Sequence, residues 1–295
     1  MKRILTLVLA LCMVLSLAAC SPPPDATEPT DQTVSAADAA TLIATGELLY
    51  PAKNSLFRYD VYTTYVAITE YVGTATEVTI PDTLETLPVL VIAQGAFYEA
   101  DNITSVIISD NVVEIRANAF EKCDNLQTVQ LPKQLTTMGE AVFDGCISLK
   151  ELTIPASLGY IPGSMCYDCQ SLVTVVWEDV PYDANTFTEK SIADYAFAGC
   201  YNLSLLWIPD EVTSIGAMLS GETPYLTIHG YTSSAAAHYA SEYFIDFEVL
   251  DKENLASAIK DAQDEAAKRE EESTAPETTE PTVSTQPTEG TTPNE

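Results

Sequence analysis

Cationic residues and histidine are scarce in this 295-residue chain: 13 lysines and arginines stand against 43 aspartates and glutamates, with 2 histidines. A formal charge of −30 repels polyanions, which argues against nucleic acid and anionic lipid headgroups as partners. Neither His229 nor His238 has an evident nucleophile beside it, and no G-x-S-x-G, phosphate-binding loop or H-E-x-x-H occurs. The chain therefore reads as a non-enzyme without cofactor or metal. Carboxylates abound, but a charged face on so acidic a protein is ordinarily a solvated one. The final stretch, residues 273–295, has no aromatic and a single branched aliphatic residue, Val283. It cannot bury enough surface to fold and reads as a disordered acidic tail.

What is present begins with a targeting segment. Lys2 and Arg3 precede "ILTLVLALCMVLSLAA", an apolar run short for a bilayer span that ends at Leu17-Ala18-Ala19-Cys20. The pattern resembles a bacterial lipoprotein signal. That resemblance implies cleavage after residue 19, lipidation of Cys20, and a chain held outward on the bacterial cell membrane; an ordinary secretory signal is the alternative. Loss of Lys2 and Arg3 takes the charge to −32. The Pro-, Thr- and Asp-rich residues 20–34 read as a disordered tether, followed by an N-terminal capping segment at 35–59.

From residue 60 to 250 the sequence repeats. "IAQGAFYEADNITSVIIS" starts at Ile92, "IRANAFEKCDNLQTVQLP" at Ile115, "MGEAVFDGCISLKELTIP" at Met138 and "IPGSMCYDCQSLVTVVWE" at Ile161, each 23 residues after the last; "IADYAFAGCYNLSLLWIP" follows at Ile192 after an 8-residue insertion. A period of this size means a solenoid, whose units bury their apolar faces only against neighbours. In "LQTVQLP", Leu126, Val129 and Leu131 take inward positions while Thr128 and Gln130 alternate outward. Stacking at about 4.8 Å turns each inward position into a column of like residues. Phe97, Phe120, Phe143 and Phe197 form one; Cys123, Cys146, Cys169 and Cys200 form another.

These recurring motifs resemble the BspA-type leucine-rich repeat, and "GYTSSAAAHYASEYFIDFEVL" resembles that family's terminal cap. The resemblance implies a curved solenoid with one short parallel strand per coil, an irregular or short-helical opposite side and a helical C-terminal cap. It also implies adhesion or ligand binding at a cell surface. The departures are Ala100 in the cysteine slot, Cys166 in the phenylalanine slot, and an insertion at 178–190.

Single cysteines in register read as small buried hydrophobes, and Ala100 in the same slot points to volume as the requirement. Disulfides are the rival in an exported chain, but parallel Cα–Cβ vectors keep stacked Cβ atoms about 4.8 Å apart, beyond the 3.8 Å a disulfide prefers. Cys166 and Cys169 form a lone C-x-x-C without the further ligands that structural zinc requires. Cys166 reads as a shortened member of the phenylalanine column with Met165 filling the gap, a local disulfide with Cys169 being the alternative.

The outward strand positions read as two columns. One is Thr79, Ile107, Gln130, Thr153, Val176, Trp207, Thr227; the other is Glu77, Ser105, Thr128, Glu151, Thr174, Leu205, Tyr225. Thr174, Val176, Leu205, Trp207 and Tyr225 gather toward the C-terminal end as a candidate ligand-binding patch, tryptophan and tyrosine being typical anchors. Alternatively the insertion or the cap folds over them. Residues 251–272 predict a helical extension with a thin apolar stripe, Leu255, Ile259, Ala262 and Ala266, that either docks on the last coil or projects. The expected function is recognition of an extracellular protein or glycan by a lipid-anchored solenoid. A structural envelope spacer is the alternative, with a hydrolytic enzyme or its accessory subunit third.

Overall fold

The computed structural model of the chain describes residues 33–179, 189–221, 223–250 and 252–274. The signal segment, Cys20, nearly all of the tether, most of the insertion and all but residues 273–274 of the acidic tail lie outside these residues. At the end of the expected tether the Val34 N–H donates to Asn111 Oδ1 at 2.8 Å, tying this segment to a coil far along the chain. Helix α1 (Ala36–Thr45) follows, with Ser35 as N-cap accepting from the Asp38 N–H.

Three antiparallel strands, Leu48–Lys53, Phe57–Tyr62 and Val66–Tyr71, come next. The capping region thus runs to Tyr71 rather than stopping at residue 59. In the middle strand Phe57, Tyr59 and Val61 alternate inward and close the first end of the core. The third strand then pairs parallel with Leu87–Ile92, and the chain changes from a meander to a solenoid.

Each coil contributes one strand to a face built from Glu77–Thr79, Ser105–Ile107, Thr128–Gln130, Glu151–Ile154, Thr174–Trp177, Leu205–Trp207, Thr227–Gly230 and Asp246–Val249. These form parallel ladders of three and five strands, joined where the Lys150 N–H donates to Gln127 O. The solenoid of parallel strands is the expected fold, and the structure adds a second ladder on the opposite side. Glu114–Ile115 and Thr137–Met138 continue from Leu87–Ile92, while Tyr160–Ile161, Lys190–Ile192 and Val212–Ile215 form a separate set.

The core is the set of columns between these faces. Phe97, Phe120 and Phe143 stack with centroids 4.7 and 5.5 Å apart, and Tyr71 stacks on Phe97 at the N-terminal end. Beyond Phe143 the slot holds Cys166, buried beside Met165, and Phe197 resumes the column one coil later. The turns between the faces need left-handed backbone at two recurring places. One comes just before each cysteine (Lys122, Gly145, Asp168, Gly199) and one four residues earlier (Asn118, Ala141, Ser164, Tyr195).

At the far end α2 (Ala235–Tyr243) begins at Ser234, whose Oγ accepts from the Ala237 N–H, and stops at Phe244 in the left-handed region. Strand Asp246–Val249 completes the five-stranded ladder and leads into α3 (Lys252–Thr274). Among the described residues no helix is long and apolar enough to cross a membrane.

Candidate functional site

Parallel register places the outward side chains in two files. Glu151, Thr174, Leu205, Thr227 and Asp246 lie side by side, as do Thr153, Val176, Trp207, His229 and Glu248. Glu77, Ser105 and Thr128, with Thr79, Ile107 and Gln130, continue both files on the earlier coils. The last coil corrects the sequence reading: Leu205 neighbours Thr227 rather than Tyr225, and Trp207 neighbours His229 rather than Thr227. A two-residue slip keeps every side chain on its own face, so alternation alone does not detect it.

Exposure is the second correction. Leu205 and Trp207 are each 1% exposed, Thr174 is buried and Val176 half-buried; Tyr225 alone stays open, at 48%. Two elements cover the patch. The Tyr231 ring meets Trp207 edge-on at 5.7 Å, and its hydroxyl donates to Asp179 Oδ2 at 2.9 Å. Burial and Asp179 push the Tyr231 phenol up to about 12. The larger cover is α3, lying over the sheet with Leu255 beside Thr153, Val176 and Trp207 and with Ala266 beside Lys150, Glu151 and Val173.

The residues of α3 that meet the sheet recur at helical spacing: Leu255, Ala258, Ile259, Ala262, Gln263, Ala266 and Arg269 are its less exposed positions. Small side chains let the helix approach the strands. Gln263 Nε2 donates to Glu151 Oε2 at 2.9 Å, and Arg269 Nη2 donates to Ser204 Oγ at 2.8 Å. The Arg269 guanidinium also lies 4.1 Å from the Tyr225 ring centroid, a cation–π contact. Ser204, Gln263 and Arg269 escaped the sequence reading, though the stripe that carries the last two was visible.

His229 sits beneath this cover, 5% exposed, with Nδ1 unpartnered by any hydrogen bond and 3.8 Å from Glu248. Burial lowers its pKa and the carboxylate only partly offsets that. Lys190, also buried, lies over the Trp177 ring at 4.9 Å and donates to Glu178 O, and burial lowers its pKa as well. Among the described residues no three His, Cys, Asp or Glu side chains group to hold a metal ion.

Among the described residues the cysteines are free and buried. Their alignment adds a role that volume does not capture: the Sγ–H of Cys123, Cys146 and Cys169 donates to the Phe97, Phe120 and Phe143 carbonyls of the preceding coil, each at 3.1 Å, and Cys200 donates to Cys166 O at 3.0 Å. Burial pushes the thiols of Cys169 and Cys200 well up; for Cys146 the Cys123 thiol and burial together do so. A thiolate is the reactive form. A thiol reagent at pH 8 is therefore expected to leave all five described cysteines unmodified in the native chain and to label them after denaturation. Rapid native labelling of any of them would contradict that burial.

The fold has solved counterparts. A T. pallidum leucine-rich repeat protein is 22% identical, with a TM-score of 0.46, 68% of this chain and 98% of that chain covered. The pneumococcal vaccine antigen PcpA is also 22% identical, with a TM-score of 0.50 over 63% of this chain and 51% of its own. A leucine-rich repeat protein from Bacteroides capillosus reaches 31% identity across 43% of this chain and 98% of its own, with a TM-score of 0.40. No protein of curated function matches the sequence. The pattern of the BspA type leucine rich repeat region matches in six copies over residues 70–188 and 184–257. With well over half its length so matched, the chain belongs to the BspA type leucine-rich repeat family.

Proposed function

We propose that this protein is a lipid-anchored recognition module of the bacterial cell surface, binding an extracellular protein or glycan through the face on which the two files of outward side chains lie. The observation that carries the reading is the content of those files. Glu77, Thr79, Ile107, Thr128 and Gln130 form an open, mostly polar stretch, and the apolar and aromatic residues follow on the same face. Flat arrays of aligned side chains present many weak contacts at once, and a partner gathers its affinity from a few anchors among them.

The direct test applies the mature chain to arrays of extracellular matrix proteins and envelope polysaccharides. Lysine at Ile107 and Gln130 is expected to weaken capture at least about tenfold, whereas lysine at Tyr160, on the opposite ladder, leaves it unchanged. Capture that Tyr160→Lys abolishes and the paired change spares would place binding elsewhere. No capture at all would favour the spacer reading, to which the α3 cover of the apolar stretch lends support.

The anchor rests on the sequence Leu17-Ala18-Ala19-Cys20. Buried acyl methylenes contribute about 0.8 kcal/mol each, so two chains hold a protein firmly on a bilayer. Cys20→Ser is expected to abolish incorporation of labelled palmitate and to release the chain from the membrane fraction. Continued incorporation would sink the assignment.

A further inference from the structure

Helix α3 occupies the C-terminal part of the outward face, yet it fits there loosely. Among its described side chains only Ala266 is buried. Cavities of about 330 and 350 Å³ remain along its flanks, one beside Ala266 and Lys150, the other beside Arg269 and His229. Its polar contacts with the sheet face include the Gln263–Glu151 and Arg269–Ser204 hydrogen bonds and the Arg269–Tyr225 stacking.

Charge works against this docking. The helix carries four basic residues and seven acidic ones, a net charge of −3, on a protein of charge −30. Asp261 and Glu265 line the same cavity as Glu248 of the last strand, so carboxylates from helix and sheet share one gap. Like charges brought together across an interface oppose association. A helix with the same small-residue stripe but lysine in those two places meets Glu248 with the opposite sign.

We propose that α3 is an intramolecular stand-in on the recognition face, and that a protein partner presenting a basic amphipathic helix displaces it. The proposal rests on the reading of that face as a recognition surface and names its occupant. Docking at rest hides Leu205 and Trp207 from water; displacement trades a like-charged helix for an oppositely charged one over the same apolar strip. A helix tethered to the chain has a high effective concentration, so the partner must compete through better charge and fit.

The test uses the full chain labelled with 5-fluorotryptophan, which gives two reporters: Trp207 beneath α3 and Trp177 inside the core. Two synthetic peptides serve as probes, one with the native sequence of residues 252–274 and one carrying Asp261→Lys and Glu265→Lys. The basic peptide is expected to shift the Trp207 resonance, spare that of Trp177, and bind at least about tenfold more tightly than the native-sequence peptide. In the chain, Gln263→Glu sets a second carboxylate against Glu151 and is expected to raise the affinity for the basic peptide several-fold at unchanged melting temperature.

A Trp207 signal that no peptide moves would overturn displacement, as would Gln263→Glu without effect. Equal binding of both peptides would overturn the basic partner, and a polysaccharide that moves Trp207 where the basic peptide does not would replace it. Loss of array capture through Ile107→Lys and Gln130→Lys with Trp207 unmoved would leave the recognition reading standing and remove this one alone.

Discussion

Replacing Phe120 by alanine is expected to destabilise the folded chain by about 3–5 kcal/mol, the range for truncating a large buried aromatic side chain. Phe120 is fully buried, and its ring lies between Phe97 at 4.7 Å and Phe143 at 5.5 Å. The substitution loses the transferred surface and leaves a void that backbone held on both faces does not collapse to fill. It also removes both stacking partners from one side of their rings, each contact contributing about 0.5–1.5 kcal/mol beyond area. Phe197→Ala is the informative comparison, because Phe197 follows Cys166 and has no ring stacked on it from the preceding coil. The smaller loss there should differ by roughly the stacking contribution. Stability in a solenoid is a sum over neighbouring coils. Chemical denaturation of Phe120→Ala should therefore separate into two transitions, the coils on either side of the break melting apart. A single transition at an unchanged midpoint would refute the column as an energetic unit.

Gly139→Ala is expected to cost about 1–3 kcal/mol or more, the range for forcing atoms into a filled core. An added Cβ would lie 2.2 Å from the Ala117 nitrogen and 2.7 Å from its Cα, which are backbone atoms of the preceding coil. Side-chain rotation does not relieve such a contact. The Gly139 N–H is itself bonded to Ile115 O at 2.8 Å, so moving the strand away sacrifices the ladder. Gly216 faces Asp194 with the same closeness, 2.5 Å to its nitrogen, and should respond likewise. Gly159 is the control: nothing lies within 4 Å of its hypothetical Cβ, and Gly159→Ala should stay within about 0.5 kcal/mol of the parent. Thermal melts of the three variants decide the matter, and equal losses at Gly139 and Gly159 would mean that close coil-to-coil approach is not what places glycine there.

The first prediction uses a column that was visible in the sequence, and the reason is physical. Stacking makes one steric problem recur every 23 residues, so phenylalanine and cysteine return in register and announce the coil. The second ladder gave no such notice. Strands as short as Glu114–Ile115 or Thr137–Met138 are too brief for alternation to show, and their pairing depends on neighbours in space. The thiol hydrogen bonds were hidden for another reason: volume explains Ala100 and Cys123 equally well, and only the 3.1 Å approach of Sγ to a carbonyl separates them.

The recognition face was half legible. Its strands and their inward and outward sides followed from alternation, while the register of the last coil did not. Whether the apolar patch is open depended on α3, whose alanine-rich stripe carries little hydrophobic signal. Its anchor on the sheet, Gln263 to Glu151, joins residues 112 apart in sequence. No local pattern reports a contact of that range.

The coil carrying the insertion also says something about how this chain tolerates change. Thr153 pairs with Val176 and Val176 with Trp207 in unbroken parallel succession, although the second step contains eight more residues than the first. The added length falls between the strands Thr174–Trp177 and Lys190–Ile192, and the pairing of Val176 with Trp207 is kept across it. The same corner is thus a natural port for grafting: a foreign epitope or reporter inserted there should leave the scaffold's register intact, since loop closure becomes only slowly costlier with length.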